Sequence, residues 1–248
     1  MKRTQRHQLK ENVLAQTLIS AHEAFEKRQT LITTILITAA VLALVITGVM
    51  AWRRQSSGRA EQLLAEAMVT FNARVIPASA APDKPGEVPA AATLGAEGSY
   101  ATEAAKLNAA LPKLKAAADA YPDTASGITA RYHYASSLAA LGKYDDAIKQ
   151  FEDVERRAGA SSLYGRMSKL GKADTQTRAG QTDAAIATWK ELAASNDDTL
   201  PKDAILMELA KAYQEKGNQE EAKKTFNQLV SDHPESPYTP EAKAALGS

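Results

Sequence analysis

A chain of 248 residues with 30 basic against 29 acidic side chains lacks the surplus positive charge of a dedicated nucleic-acid binder, and that class is excluded first. The absence of cysteine from this sequence excludes disulfide stapling, lipoprotein processing and thiolate metal sites. Aromatic residues make up only 6% while alanine, leucine, lysine and glutamate abound, a mixture that favours helices over strands and predicts an all-α protein.

Residues 1–30 form a charged N-terminal segment. Within it Gln8 to Gln29 reads as an amphipathic helix, with Leu14, Leu18, Ala21 and Phe25 on one stripe at spacings of 4, 3 and 4. Such a helix lies on lipid headgroups, packs on a partner helix, or simply extends into solvent. Leu31 to Ala51 follows, with no charge in 21 positions. At about 1.5 Å per residue it spans roughly 31 Å, the thickness of a bilayer's hydrocarbon core. Threonines 33, 34, 38 and 47 can return their hydroxyls to helix carbonyls, and Trp52, Arg53 and Arg54 suit the headgroup layer beyond. The segment 31–52 is therefore expected to be a transmembrane helix. A cleaved signal peptide is the competing reading, but thirty residues precede the apolar run and Trp-Arg-Arg occupies the place of a small-residue cleavage site. Six basic residues before the span against four in the 30 after it lean towards a cytoplasmic N-terminus. Ala39, Ala43, Thr47 and Ala51 recur every four residues and form a small-residue face, a candidate contact for another membrane helix.

Residues 53–76 form a post-membrane segment in which Arg59 to Val75 continues helical, with Leu63, Leu64, Ala67, Met68, Phe71 and Val75 on its apolar face. Residues 77–99 carry Pro77, Pro82, Pro85 and Pro89 among alanine and glycine, and read as a linker too poor in apolar surface to offset its ordering entropy.

From residue 100 to 248 the chain repeats itself. ALGKYDDAIKQFEDV, RAGQTDAAIATWKEL and EKGNQEEAKKTFNQL share one pattern, with turn glycines at 142, 180 and 217 and therefore periods of 38 and 37 residues. Five residues after each glycine stands Ala147, Ala185 or Ala222, and four later Phe151, Trp189 or Phe226. Glycine stops the first helix in a left-handed turn. Small residues (Ala135, Ala173 and Ala210 facing those three alanines) let two helices cross closely, and the aromatic fills the space before the next hairpin. No hairpin buries its own face, so the units must stack.

This pattern resembles the tetratricopeptide repeat. With units numbered from Ile128, Arg166 and Asp203, the third matches best through Leu209, Ala210, Tyr213, Ala222, Phe226, Leu229 and Pro234. The first has Gly159 in place of the terminal proline, and the second has Lys169, Lys172 and Gln176 where the family is apolar or aromatic. Ala110, Leu114, Ala117 and Pro122 reproduce a second helix, implying a divergent fourth unit whose first helix is Arg59 to Val75; Pro240 to Leu246 reads as a capping helix. The resemblance implies a concave groove lined by positions 2, 5, 9 and 12 of each first helix: Thr129, Tyr132, Ser136 and Ala139; Met167, Leu170, Asp174 and Thr177; Ala204, Met207, Lys211 and Gln214. Tyr132, Met167, Leu170 and Met207 are expected to form an exposed apolar patch there, with ordinary packing between repeats as the alternative. Lys211 alone does not make the carboxylate clamp that grips chaperone C-termini.

No catalytic or cofactor chemistry is expected. His7, His22, His133 and His233 lack metal-ligand spacing, no glycine-rich phosphate loop appears, and the acidic pairs 145–146, 197–198 and 220–221 sit at helix starts or turns. The layout of charged N-terminus, one span ending in Trp-Arg, RAEQLLAEAM, YPDT and repeats resembles the bacterial ancillary Sec-translocon subunit family; HPESPYTPEAKAAL also resembles the ends of tetratricopeptide proteins of outer-membrane assembly and cell-division coordination. The expectation is a non-enzymatic scaffold in the bacterial inner membrane, with its repeats in the periplasm. Through its groove it would bind protein as a translocon subunit or chaperone adaptor does, without nucleic-acid or small-molecule ligands. The alternative is a structural accessory subunit of a large membrane complex.

Overall fold

A computed structural model describes residues 3–76, 99–195, 197 and 199–247, the side chains of residues 3–30, 32 and 52–54 excepted. The backbone forms two units, residues 1–55 and residues 56–248. Helix α1 (Arg3–Phe71) runs unbroken through the amphipathic segment, the apolar run and the post-membrane segment. The stripe at Leu14 to Phe25 and the side chains of Trp52, Arg53 and Arg54 lie outside the described residues, as do residues 77–98 of the expected linker.

In the unit 56–248, the helix expected to reach Val75 stops at Phe71 instead. Arg74–Val75 forms strand β1, which pairs in parallel with β2 (Ser99–Tyr100), Arg74 opposite Ser99 and Val75 opposite Tyr100. Arg74 and Val75 meet Ser99 and Tyr100 from a part of the chain more than twenty residues away, a pairing that local periodicity does not encode. The helical hairpins follow: α2 (Glu103–Ala120), α3 (Ala125–Ala140), α4 (Tyr144–Ala158), α5 (Leu163–Arg178), α6 (Thr182–Ala194), α7 (Lys202–Glu215), α8 (Gln219–Asp232) and a terminal α9 (Thr239–Leu246). Each packs on the next in sequence, and α3 also touches α5, as first helices of successive units do in a solenoid.

The hairpin turns are built as the repeat requires. Gly142, Gly180 and Gly217 take φ values of 75°, 69° and 81°, which a side chain would strain. The paired alanines are sealed: Ala135, Ala173, Ala210, Ala147 and Ala185 are fully buried, and Ala222 nearly so. Phe151, Trp189 and Phe226 fill the gaps between hairpins, burying all but a few per cent of their surface. The largest core lies in the last two units, around Trp189, Ile205, Leu206, Met207, Phe226 and Leu229. The divergent first unit also forms. Ala67 packs with Ala110 and Leu114, and Leu63 and Leu64 reach Ala117, Ala118 and Ala130. Lys113 Nζ donates to Thr70 Oγ1 at 3.1 Å across the same seam. Its core is made mostly of alanine.

The middle unit forms with polar groups where the repeat pattern is apolar. Lys172 lies 3.5 Å from Glu155, Lys169 pairs with Glu191 at 2.6 Å, and Thr188 Oγ1 donates to Gln176 Oε1 at 2.8 Å in a buried position. Trp189 Nε1 donates to Thr177 Oγ1 at 3.2 Å, so the large ring keeps its N–H satisfied.

Candidate functional site

The first helices of the hairpins offer the candidate binding face, and its chemistry begins with rings. At the end of α1, Phe71 sits 4.9 Å from His133 on α3; His133 is 5.6 Å from Tyr132, and Tyr132 is 5.6 Å from Tyr164 on α5. Tyr132 also meets the buried Phe151 edge-on at 5.9 Å. A row of half-buried rings thus crosses three successive first helices. Burial lowers the proton affinity of His133, which keeps the imidazole neutral near pH 7, and burial raises the Tyr132 hydroxyl above its ordinary value. The row is uncharged.

Of the expected groove residues, only some share this face. Tyr132 stands at the centre of the row, and the Ser136 hydroxyl is committed to the Tyr132 carbonyl at 3.0 Å. Met167 is half-buried, and Leu170 is half-buried against the core of the last two units. Met207 corrects the expectation: it is 0% exposed inside that core and cannot belong to a surface patch. The groove pattern places it on the inner face, but it is enclosed in the core cluster that also holds Trp189, Phe226 and Ala242 from other helices. Asp174 is exposed and 3.8 Å from Arg178, Lys211 pairs with Glu241 of α9 at 3.1 Å, and Gln214 is exposed. The anticipated four-residue apolar patch therefore loses Met207, while Tyr132, Met167 and Leu170 stay partly exposed and Tyr132 also belongs to the ring row. Phe71, His133 and Tyr164 are not binding candidates in the sequence because they lie outside the repeat's groove positions. Only the packing of α1 and α5 on α3 brings them together.

A cleft of about 690 Å³ opens beside α5 and α6, lined by Arg166, Lys169, Glu191 and Asp197 among others. Arg166 pairs with Asp197 at 3.0 Å and Lys169 with Glu191 at 2.6 Å, so its charges are already matched. The Lys169 ammonium holds the Glu191 carboxyl below the ordinary range. Among the described residues no group of three or more His, Asp or Glu side chains could hold a metal ion. The acidic pairs behave as helix-start residues: Asp145 and Asp146 open α4, and Glu220 and Glu221 open α8, while Asp198 lies outside the described residues.

In the unit 1–55, Ala39, Ala43, Thr47 and Ala51 are all exposed along α1. Large apolar neighbours are exposed too, Leu44 at 72% and Ile37 at 64%. The threonine hydroxyls are satisfied within the helix, Thr38 Oγ1 donating to the Thr34 carbonyl at 2.8 Å and Thr47 Oγ1 to that of Ala43 at 2.9 Å. The helix from Thr33 is long and apolar enough to cross a membrane, with a peak mean hydropathy of 2.5.

Comparison with known proteins follows the same outline. Tetratricopeptide-repeat family models match residues 96–163 and 204–236. The unmatched interval between them is the middle unit with the lysines and glutamine at apolar positions. A Podosopora anserina putative kinesin light chain with nearly identical TPR-like repeats, and a singly substituted form of it, share the fold at a TM-score of 0.50 and 20% identity, covering 57% of this chain and 76% of theirs. No curated protein matches the sequence.

Proposed function

We propose that this tetratricopeptide-repeat protein is a membrane-tethered scaffold that binds a protein partner along the first-helix face of its repeats. Repeats of this kind are protein-interaction scaffolds, and nothing about the cleft or the ionisable groups described here suggests turnover chemistry. One observation carries the reading: the uncharged ring row from Phe71 to Tyr164 runs along the first helices of three hairpins and includes Tyr132, a residue of the expected groove. Aromatic side chains give much contact area for little conformational entropy, which suits docking. Tethering rests on Leu31 to Ala51, whose described apolar side chains are exposed and whose Thr38 and Thr47 hydroxyls bond to helix carbonyls. The reading extends to a bacterial inner membrane, with a cytoplasmic N-terminus and repeats in the periplasm, in the manner of an ancillary translocon subunit or chaperone adaptor.

The test is site-specific photo-crosslinking in the full chain, followed by purification in mild detergent. Probes at Tyr132 and Tyr164 should trap a co-purifying protein, whereas a probe at Lys149 on the outer helix α4 should not. Crosslinks confined to Ala39 and Ala43, with loss of the complex on bulky replacement there, would instead establish the accessory-subunit reading. A reporter fused after Ser248 tests topology; activity of a cytoplasm-only reporter overturns the periplasmic placement.

A further inference from the structure

Where α2, α3 and α4 meet, Arg131 lies with 9% of its surface exposed. Its Nη2 donates to Asp119 Oδ1 at 2.7 Å and to the Ala118 carbonyl at 3.2 Å, and its Nη1 donates to Gln150 Oε1 at 2.8 Å. Its Nε stands 3.0 Å from Asp153 Oδ2, an ion pair without hydrogen-bond alignment. Around this centre, Arg157 Nε reaches Asp153 at 2.8 Å and Arg157 Nη1 reaches Asp123 at 2.6 Å, while Arg156 pairs with Asp153 and Lys115 with Asp119. From α5, packed behind α4, Lys172 faces Glu155 and Glu152 instead. From α1, Leu63 and Leu64 pack beside it on Ala117, Ala118 and Ala130.

The apolar support here is divided among small clusters. The first hairpin is held by Ala67, Ala110, Leu114, Ala117 and Ala118, with Leu63, Leu64, Met68 and Phe71 only partly buried against them, and by Leu111 against Leu138 and Phe151, whereas the last belongs to one continuous core of Ile205, Leu206, Met207, Phe226 and Leu229. Buried area scales with side-chain size and with the size of the cluster, so beside these smaller clusters the Arg131 ion pairs carry a larger share of the cohesion at the first junction than charge does in the last unit. We propose that the Arg131 cluster is a latch holding the first hairpin, residues 59–71 with α2, to the rest of the repeat array, and that acid releases this hairpin before the others open.

The sign follows from the two aspartates. The Lys115 hydrogen bond, and then Arg131, hold the Asp119 carboxyl below its ordinary value against the opposing effect of burial. Burial alone pushes Asp153 up, but the Arg157, Arg131 and Arg156 guanidiniums outweigh it and the net direction is down. Groups depressed in the folded state contribute stability above the ordinary carboxylate value of about 3.9 and lose it as pH falls through the folded values. Once both carboxyls are neutral, a guanidinium that cannot lose its proton is left buried without a counter-charge. Because each hairpin touches only its neighbours, the array can open from one end while the other stays folded.

Hydrogen exchange of the full chain in detergent, read by mass spectrometry from pH 7 downwards and corrected for intrinsic rates, tests this. Amides of α2 should lose protection about one pH unit above those of α8. Simultaneous loss, or earlier loss in α8, overturns the proposal. At pH 7 the double variant Asp119→Asn/Asp153→Asn should raise exchange in α2 by about tenfold and leave α8 unchanged. Unchanged α2 exchange, or opening of α2 and α8 together, refutes the latch. In Arg131→Met the two hairpins should lose protection at one pH, and a retained offset counts against the proposal; should that variant not fold, the aspartate pair decides.

Discussion

Gly171 lies on α5 directly over the Phe151 ring: a Cβ built on it would meet Phe151 Cζ at 2.7 Å and Cε1 at 2.8 Å. Phe151 is 2% exposed in the core, so Gly171→Ala should destabilise by about 1–3 kcal/mol, seen as a lower urea midpoint. At Gly127 the collision is with backbone, the Tyr121 carbonyl oxygen at 1.8 Å, and alanine there should cost more than at Gly171. Met207 makes the opposite point about groove positions. As a surface residue it would tolerate glutamate, whereas in the core Met207→Glu should cost about 4 kcal/mol or more by burying an unpaired charge. Thermal unfolding of Met207→Glu beside Asp174→Ala, on an exposed site, should show a large loss only in the first.

Among the elements, capping and repetition explain most of what periodicity read correctly. Thr124 and Ser162 begin α3 and α5 with the same arrangement, each hydroxyl accepting from the N–H three residues on, at 3.1 Å and 3.0 Å. Thr124→Ala should therefore cost about 1 kcal/mol in chemical denaturation. Pro112 sits inside α2 as an exposed residue, where it deletes a helix hydrogen bond. Pro112→Ala should raise stability by about 1–3 kcal/mol. Helix positions, turn glycines, small crossing residues and inter-hairpin aromatics were legible because each follows from local geometry repeated at a fixed spacing. The end of α1 at Phe71 and the β1–β2 pair were not, since a two-residue bridge between distant segments leaves no periodic trace.

At the scale of the whole molecule, the two units differ in what surrounds their apolar surface. Residues 56–248 bury theirs in hairpin cores, whereas the apolar run in residues 1–55 exposes side chains from Leu31 to Met50. A fragment of residues 56–248 should consequently stay soluble without detergent and unfold cooperatively, while the full chain should remain in membranes through alkaline carbonate washing. Sedimentation of the two after that wash, with circular dichroism of the fragment, checks both expectations. Release of the full chain by carbonate would count against tethering.

The divide between sequence and tertiary structure runs through Arg131 and Tyr132, neighbours on α3. Composition, an uncharged run of 21 residues and a 38- and 37-residue period were enough to determine helices, hairpins, an obligatory stack and a candidate span. Those properties depend on spacing along one chain direction. Which groove residues stay at the surface, which rings meet, and how Arg131 gathers Asp119 and Asp153 were decided only when α1, α2, α4 and α5 closed around α3. Burial and charge compensation are properties of neighbours in space, and the linear pattern that names a helix does not say what will press against each of its sides.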